Sequence, residues 1–150
     1  GPKKAELVEL AQYYQLPNLT FIPEQPREGM IPYLSAADVA LIPLRNLDLF
    51  KGALPSKIFD AWACELPVLI NFEGEARQIV EQAQAGIGIP SEDPQAMAHA
   101  LEQMRTDRQA CRAMGKRGRQ FTVGHYSRQS QAKRLAERLE DLILKHRKDK

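Results

Sequence analysis

The sequence predicts an α/β fold, an open parallel sheet flanked by helices. Two observations carry that expectation. Short apolar, β-branched runs alternate with helical 3.6-residue patterns along the whole chain, the mark of βαβ units. Most of those runs are almost continuously apolar, which suits parallel strands covered on both faces. The 150 residues are 43% hydrophobic and 27% charged, enough for one domain with a core that needs no staples.

Leu7, Leu10, Ala11 and Tyr14 recur at i, i+3, i+4 and i+7 and predict a helix over Lys3–Gln15. Asn18–Ile22, bounded by Pro17 and Pro23, reads as a strand, and Gly29–Ala37 as a short helix. Asp38–Pro43 is a second strand and leads into an irregular stretch, Leu44–Leu54, that carries Arg45, Asn46, Asp48, Lys51 and Gly52. A helix follows over Pro55–Glu65, with Pro at or near its first position. Pro67–Asn71 is a third strand, Glu73–Ala85 a helix, and Gly86–Pro90 a short fourth strand. Asp93 followed by Pro94 predicts an N-cap and the first position of a helix running to Arg105. Two further helices span 107–122 and 127–147, with a break around Val123–Tyr126. The domain reading is therefore 1–126, plus a C-terminal helix and basic tail over 127–150.

Charge is unevenly spread. Residues 1–104 hold 7 Lys/Arg against 14 Asp/Glu, and residues 105–150 hold 14 against 5. A basic end of this kind attracts an anionic surface, although a solvated helix face is the commoner reason for such a charge run. Nucleic-acid binding is not expected, because only Phe121 and Tyr126 interleave with the cations. Cys64 and Cys111 are far apart and read as reduced core thiols. No run approaches the roughly 20 apolar residues of a membrane span, and the expected compartment is the cytoplasm. No metal-ligand cluster, catalytic triad or resident cofactor is expected.

In open α/β sheets ligands sit beyond the carboxyl ends of the strands. The longest loop there is Leu44–Leu54, with Arg45 and Lys51, and Lys57 lies in the first turn of the helix behind it. A helix N-terminus presents unpaired N–H groups and the positive end of its dipole, and so attracts anions. Backbone donors beside two or three cations are what a diphosphate requires. Asp60 lies on the same helical face as Lys57, where a carboxylate accepts sugar hydroxyls; a surface Lys57–Asp60 ion pair is the competing structural reading.

The run Leu54-Pro-Ser-Lys-Ile-Phe-Asp-Ala-Trp-Ala-Cys-Glu-Leu-Pro-Val68 resembles the signature of the retaining glycosyltransferase family 4, of GT-B fold. That signature has two glutamates seven residues apart, followed by Ala-Met-Ala-Cys-Gly-x-Pro-Val. The chain is closer to a Pro-Ser-Lys branch common in bacterial surface-polysaccharide synthesis. Ala37–Pro43, Asn18–Ile22, Gly74–Ala76 through Pro90, and Asp93-Pro94 are similar to the family's other elements, in order, over roughly residues 1–145.

The resemblance implies the Rossmann-like C-terminal half of a GT-B enzyme, truncated at its N-terminus. It implies a nucleoside-diphosphate sugar as substrate and no metal or other cofactor. It places a ribose-binding carboxylate at Asp60, and together with the loop cations it makes Arg45, Lys51, Gly52, Ala53, Leu54, Ser56 and Lys57 the candidate donor contacts. No catalytic residue is assigned. Gly52 stands where the family has its first glutamate, so Lys57 and the amides of Ala53 and Leu54 are expected to take over part of that contact. Glu65 stands where the family has glycine, which predicts a reshaped or strained turn. Gly1-Pro2 is similar to the end of the family's preceding strand, and equally to a protease scar. The expected partners are a nucleotide sugar, an acceptor-binding N-terminal domain, and an anionic membrane met peripherally at its inner face. A nucleotide-sugar epimerase of the same fold and a non-catalytic nucleotide-binding module remain as alternatives.

Overall fold

The computed structural model describes residues 3–45 and 47–148, leaving aside the side chains of 147 and 148. Gly1-Pro2, Asn46 and the last two residues of the Lys145–Lys150 run lie outside the described residues. The chain divides into two units, Gly1–Met30 and Ile31–Lys150.

In the first unit the expected helix forms as α1, Lys4–Tyr13. It ends where Gln15 enters the left-handed region at φ 51 and the N–H of Leu16 closes back on the Ala11 carbonyl at 3.0 Å. Asn18–Ile22 forms no strand, which corrects the sequence expectation. An extended run becomes a strand only when a neighbour takes up its N–H and C=O groups. The sheet contains β1, β2 and β3 alone, and none of them pairs with this run. The sheet therefore has three strands among the described residues, not the four expected.

Residues Arg27–Gly29 form a 3₁₀ turn and α2 covers Met30–Ala36. The second unit is then built on β1 (Ala40–Ile42), β2 (Val68–Ile70) and β3 (Gly86–Gly88), in the order β1-β2-β3. Both pairings are parallel, with Ile42 opposite Ile70 and Ile70 opposite Gly88. The α/β class and the parallel sheet are as the sequence predicts. Helices α3 (Ser56–Ala63), α4 (Glu75–Ala83), α5 (Pro94–Thr106), α6 (Arg108–Phe121) and α7 (Arg128–Lys148) follow.

Alternation along the strands sorts the core into two layers. Ile42, Val68 and Ile70 pack with Ile58, Trp62, Ala76 and Val80 of α3 and α4. Leu69 and Ile89 turn the other way, onto Ala100 of α5. Trp62 is fully buried, and its indole N–H donates to the Ala85 carbonyl at 3.0 Å. Burying so large a side chain is favourable because its one polar atom is satisfied. Helix α6 reaches this core through Gly118: a Cβ there would overlap the Trp62 ring.

Helix starts and stops follow local chemistry. The Asp93 carboxylate caps α5 by accepting the Ala96 N–H at 2.8 Å, with Pro94 at the first turn, as expected. Asp107 caps α6 in the same way at Ala110. The break before α7 is a π-helical turn, Thr122–Tyr126. Beyond α3, Glu65 takes φ 57, so the turn keeps the left-handed geometry at a cost to the glutamate of roughly 1 kcal/mol.

Candidate functional site

Beyond the carboxyl ends of the three strands, one side chain organises the connecting loops. Asn71 follows the last residue of β2. Its side-chain carbonyl accepts the backbone N–H of Leu44 at 2.8 Å, and its own carbonyl accepts the Ser91 hydroxyl at 2.6 Å. The loops leaving β1, β2 and β3 are thus joined at one residue. Asn71 and Ser91 were not singled out from sequence, because neither has a spacing or periodicity that marks it.

The Leu44–Leu54 stretch is irregular, as predicted, with a 3₁₀ turn at Asp48–Phe50. It is held at a second point by backbone alone: the Lys51 carbonyl accepts the N–H of Glu75, in the first turn of α4, at 2.9 Å. Gly74 makes that approach feasible. Its φ is +110, and a Cβ would overlap the Lys51 carbonyl oxygen. Only glycine meets both conditions. Arg77, one turn into α4, pairs with Glu73 and Glu81 and lies against Gly88 of β3, bracing the same edge.

The expected site residues do not all behave alike. Ser56 and Lys57 open α3, whose N-terminus has no side-chain cap. A helix start without a side-chain cap leaves N–H groups that an anion can take up. Arg45 and Lys57 are exposed and carry no ion pair among the described residues. Lys51 is different: its ammonium is 2.7 Å from the Asp48 carboxylate. That hydrogen bond, reinforced by the attraction of the two charges, holds Asp48 below and Lys51 above their ordinary pKa values. Ala53 donates its N–H to the Phe50 carbonyl at 3.0 Å, so that amide is already committed within the turn. Leu54 is half-buried against the core. Gly52 has nothing within 4 Å of a notional Cβ. Asp60 is half-buried on α3.

The arrangement is a ledge that, among the described residues, carries a helix N-terminus without a side-chain cap, two cations without an ion pair and one cation paired with its neighbour. Among the described residues no group of three or more His, Cys, Asp or Glu side chains is placed to hold a metal ion.

Residues 1–121 match the family described as glycosyl transferases group 1. The chain belongs to that family. It is 26% identical over 145 residues to the provisionally named colanic acid biosynthesis glycosyltransferase WcaL of Salmonella typhimurium, covering 95% of this chain and 36% of that protein. It is 31% identical over 117 residues to the D-inositol 3-phosphate glycosyltransferase of Corynebacterium urealyticum, covering 78% of this chain and 26% of the relative. The chain is also similar in fold to the sucrose-phosphate synthase of Thermosynechococcus elongatus. That match has a TM-score of 0.80 at 24% identity, over 96% of this chain and 35% of the other. These likenesses support the GT-B assignment. The chain spans between about a quarter and just over a third of the length of these proteins. No described helix is long and apolar enough to cross a membrane.

Proposed function

We propose that this chain is the donor-binding half of a retaining glycosyltransferase of family 4, in its Pro-Ser-Lys branch. In this reading the whole enzyme moves a sugar from a nucleoside-diphosphate sugar to an acceptor in polysaccharide or glycoconjugate synthesis. The observation that carries it is the uncapped N-terminus of α3, with Lys57 in its first turn, set behind a loop fastened at the carboxyl edge of the sheet.

When the sugar leaves, negative charge builds on the diphosphate, and donors already aimed at it lower the barrier. The α3 amides, Lys57 and Arg45 take that role, while Lys51 joins only when it parts from Asp48. Asp60 binds the ribose hydroxyls. The nucleotide sugar is the substrate, and the chemistry calls for no metal or resident cofactor. The acceptor is held by an N-terminal domain elsewhere in the protein, and the enzyme works in the cytoplasm, peripheral to the inner membrane face. The name of WcaL supports polysaccharide synthesis as the setting.

Calorimetric titration with UDP, GDP and ADP tests the reading. One of the three should bind, and Lys57→Ala should weaken it more than it weakens the matching nucleoside. The loss expected is that of a charge-assisted hydrogen bond, about 1.5–3 kcal/mol. Equal affinity of both proteins for all three diphosphates would refute the site. Gly52, where the family has a glutamate, favours a second reading: a nucleotide-binding module without catalysis. Sugar transfer by the full-length parent separates the two, and residues 1–150 alone should transfer none.

A further inference from the structure

A cavity lies at the opposite edge of the sheet from Asn71. It has a volume of about 420 Å³ and opens where the N-terminal ends of β1 and β2 meet the α5–α6 corner. That is within the range of small-molecule sites. Asp38 and Glu65 stand on the strand side, Arg105, Arg108 and Arg112 on the helix side, and Met104 is among the apolar residues lining it.

The charges in this cavity are not used up on one another. Arg105 is paired outside it, with Glu102, and Glu65 has only a 3.8 Å contact with Arg119. Asp38, Arg108 and Arg112 carry no side-chain hydrogen bond or ion pair among the described residues. Carboxylate and guanidinium groups that share one cavity without closing on each other leave a gap with acceptors on one wall and donors on the other. Arg108 and Arg112 are four residues apart on α6, hence on one face of the helix, and guanidinium forks match phosphate oxygens two at a time. The carboxylates opposite require hydroxyl donors. No aromatic ring lines the cavity, so nothing there stacks on a nucleobase.

We propose that this cavity is a second ligand site, separate from the donor ledge, that takes a phosphorylated sugar: phosphate on Arg108 and Arg112, hydroxyls on Asp38 and Glu65. The ligand bridges the two walls, so both of its ends are needed. The site lies across the sheet from the donor ledge and does not depend on what that ledge binds.

Titration of the isotopically labelled chain with mannose 6-phosphate, mannose and inorganic phosphate, followed by NMR, tests the proposal. Saturable shifts at Asp38, Glu65, Arg108 and Arg112 are expected with mannose 6-phosphate, binding at least about tenfold tighter than phosphate, the worth of one good hydrogen bond to a charged group. Arg108→Gln combined with Arg112→Gln should weaken it by at least about tenfold. Both positions are exposed, so the fold survives the change. Asp38→Asn should weaken mannose 6-phosphate and spare inorganic phosphate. Equal affinity for phosphate and sugar phosphate, an unaffected double variant, or shifts confined to the Lys57 region would each overturn the proposal.

Discussion

Asn71 holds the backbone N–H of Leu44 through its side-chain carbonyl at 2.8 Å, across 27 residues of sequence. The bond is half-buried, so its loss leaves an N–H without a partner in a place water reaches poorly. Asn71→Ala should destabilise the chain by about 1–3 kcal/mol. Amide exchange should quicken from Leu44 to Leu54 more than in β2. Urea denaturation and exchange measured together check this; uniform quickening across the core would mean that Asn71 supports the whole sheet and not the loop.

Lys51 is the one basic residue of the ledge that the structure shows bound to a carboxylate, Asp48, and both groups are mostly exposed. Asp48→Asn removes that competitor together with a negative charge. Nucleoside-diphosphate affinity should rise about two- to fivefold, the scale of exposed ion pairs. The same pair gives a pH dependence. Asp48 titrates below its ordinary value in the folded chain, so the pair's contribution is present above that ordinary value and is lost as pH falls through the folded one. NMR titration of the Asp48 carboxyl should show its midpoint moving up toward the ordinary value in Lys51→Ala. An unmoved midpoint would mean that the pair does not form in solution.

Asp60→Asn should weaken ribonucleotide binding and leave 2′,3′-dideoxy analogues nearly unchanged, because the carboxylate serves the ribose hydroxyls that those analogues lack. A charge-assisted bond is worth about 1.5–3 kcal/mol. Calorimetry with matched ribo and dideoxy diphosphates makes the comparison, and an equal weakening of both would assign Asp60 to structure.

Legibility in the sequence followed the range of the forces involved. Asp93 with Pro94 announced the start of α5, because a cap acts within three residues. Apolar runs located β1, β2 and β3, and Pro55 marked the start of the helix bearing Lys57. Asn18–Ile22 misled for the opposite reason: its composition is that of a strand, but a strand exists only with a partner, and partners are not written locally. The candidate loop was legible from its length and charge. Its fastening to Asn71 and to Glu75 was not, since those bonds join residues 27 and 24 apart through one side chain and one carbonyl. The Asp48–Lys51 pair had the right i,i+3 spacing and could have been found.

Gly118→Ala should be among the costliest small substitutions in the chain. The added methyl would overlap the buried Trp62 ring, whose indole is already tied to Ala85. Overpacking of this kind costs about 1–3 kcal/mol. Gly124→Ala is the natural control, because nothing lies within 4 Å of its notional Cβ, and it should change stability by about 0.5 kcal/mol at most. Denaturation followed by Trp62 fluorescence would report both. Equal effects would show that α6 shifts freely against α3.

Helix α7 is anchored at its start and bare along its length. The Ser127 hydroxyl accepts the Ser130 N–H at 3.1 Å, and the Gln131 side chain donates to the His125 carbonyl at 2.6 Å. Further on, Leu135, Leu139, Leu142 and Ile143 form an apolar stripe and are 62%, 51%, 62% and 55% exposed. Most of a helix's stability in a protein comes from tertiary packing of its apolar face, and this stripe has little. Amide exchange should therefore be slowed near Ser130–Arg134 and fast from Leu135 onward, far faster than in α3. Leu139→Asp sharpens the test. A leucine fully buried on the domain would contribute about 1.5–3 kcal/mol, whereas an exposed one contributes little. Leu139→Asp should change the stability of this chain by less than about 0.5 kcal/mol. A drop of about 2 kcal/mol, in the range of a buried leucine, together with strong protection of Leu139–Ile143, would place the stripe against the domain and contradict the exposed helix.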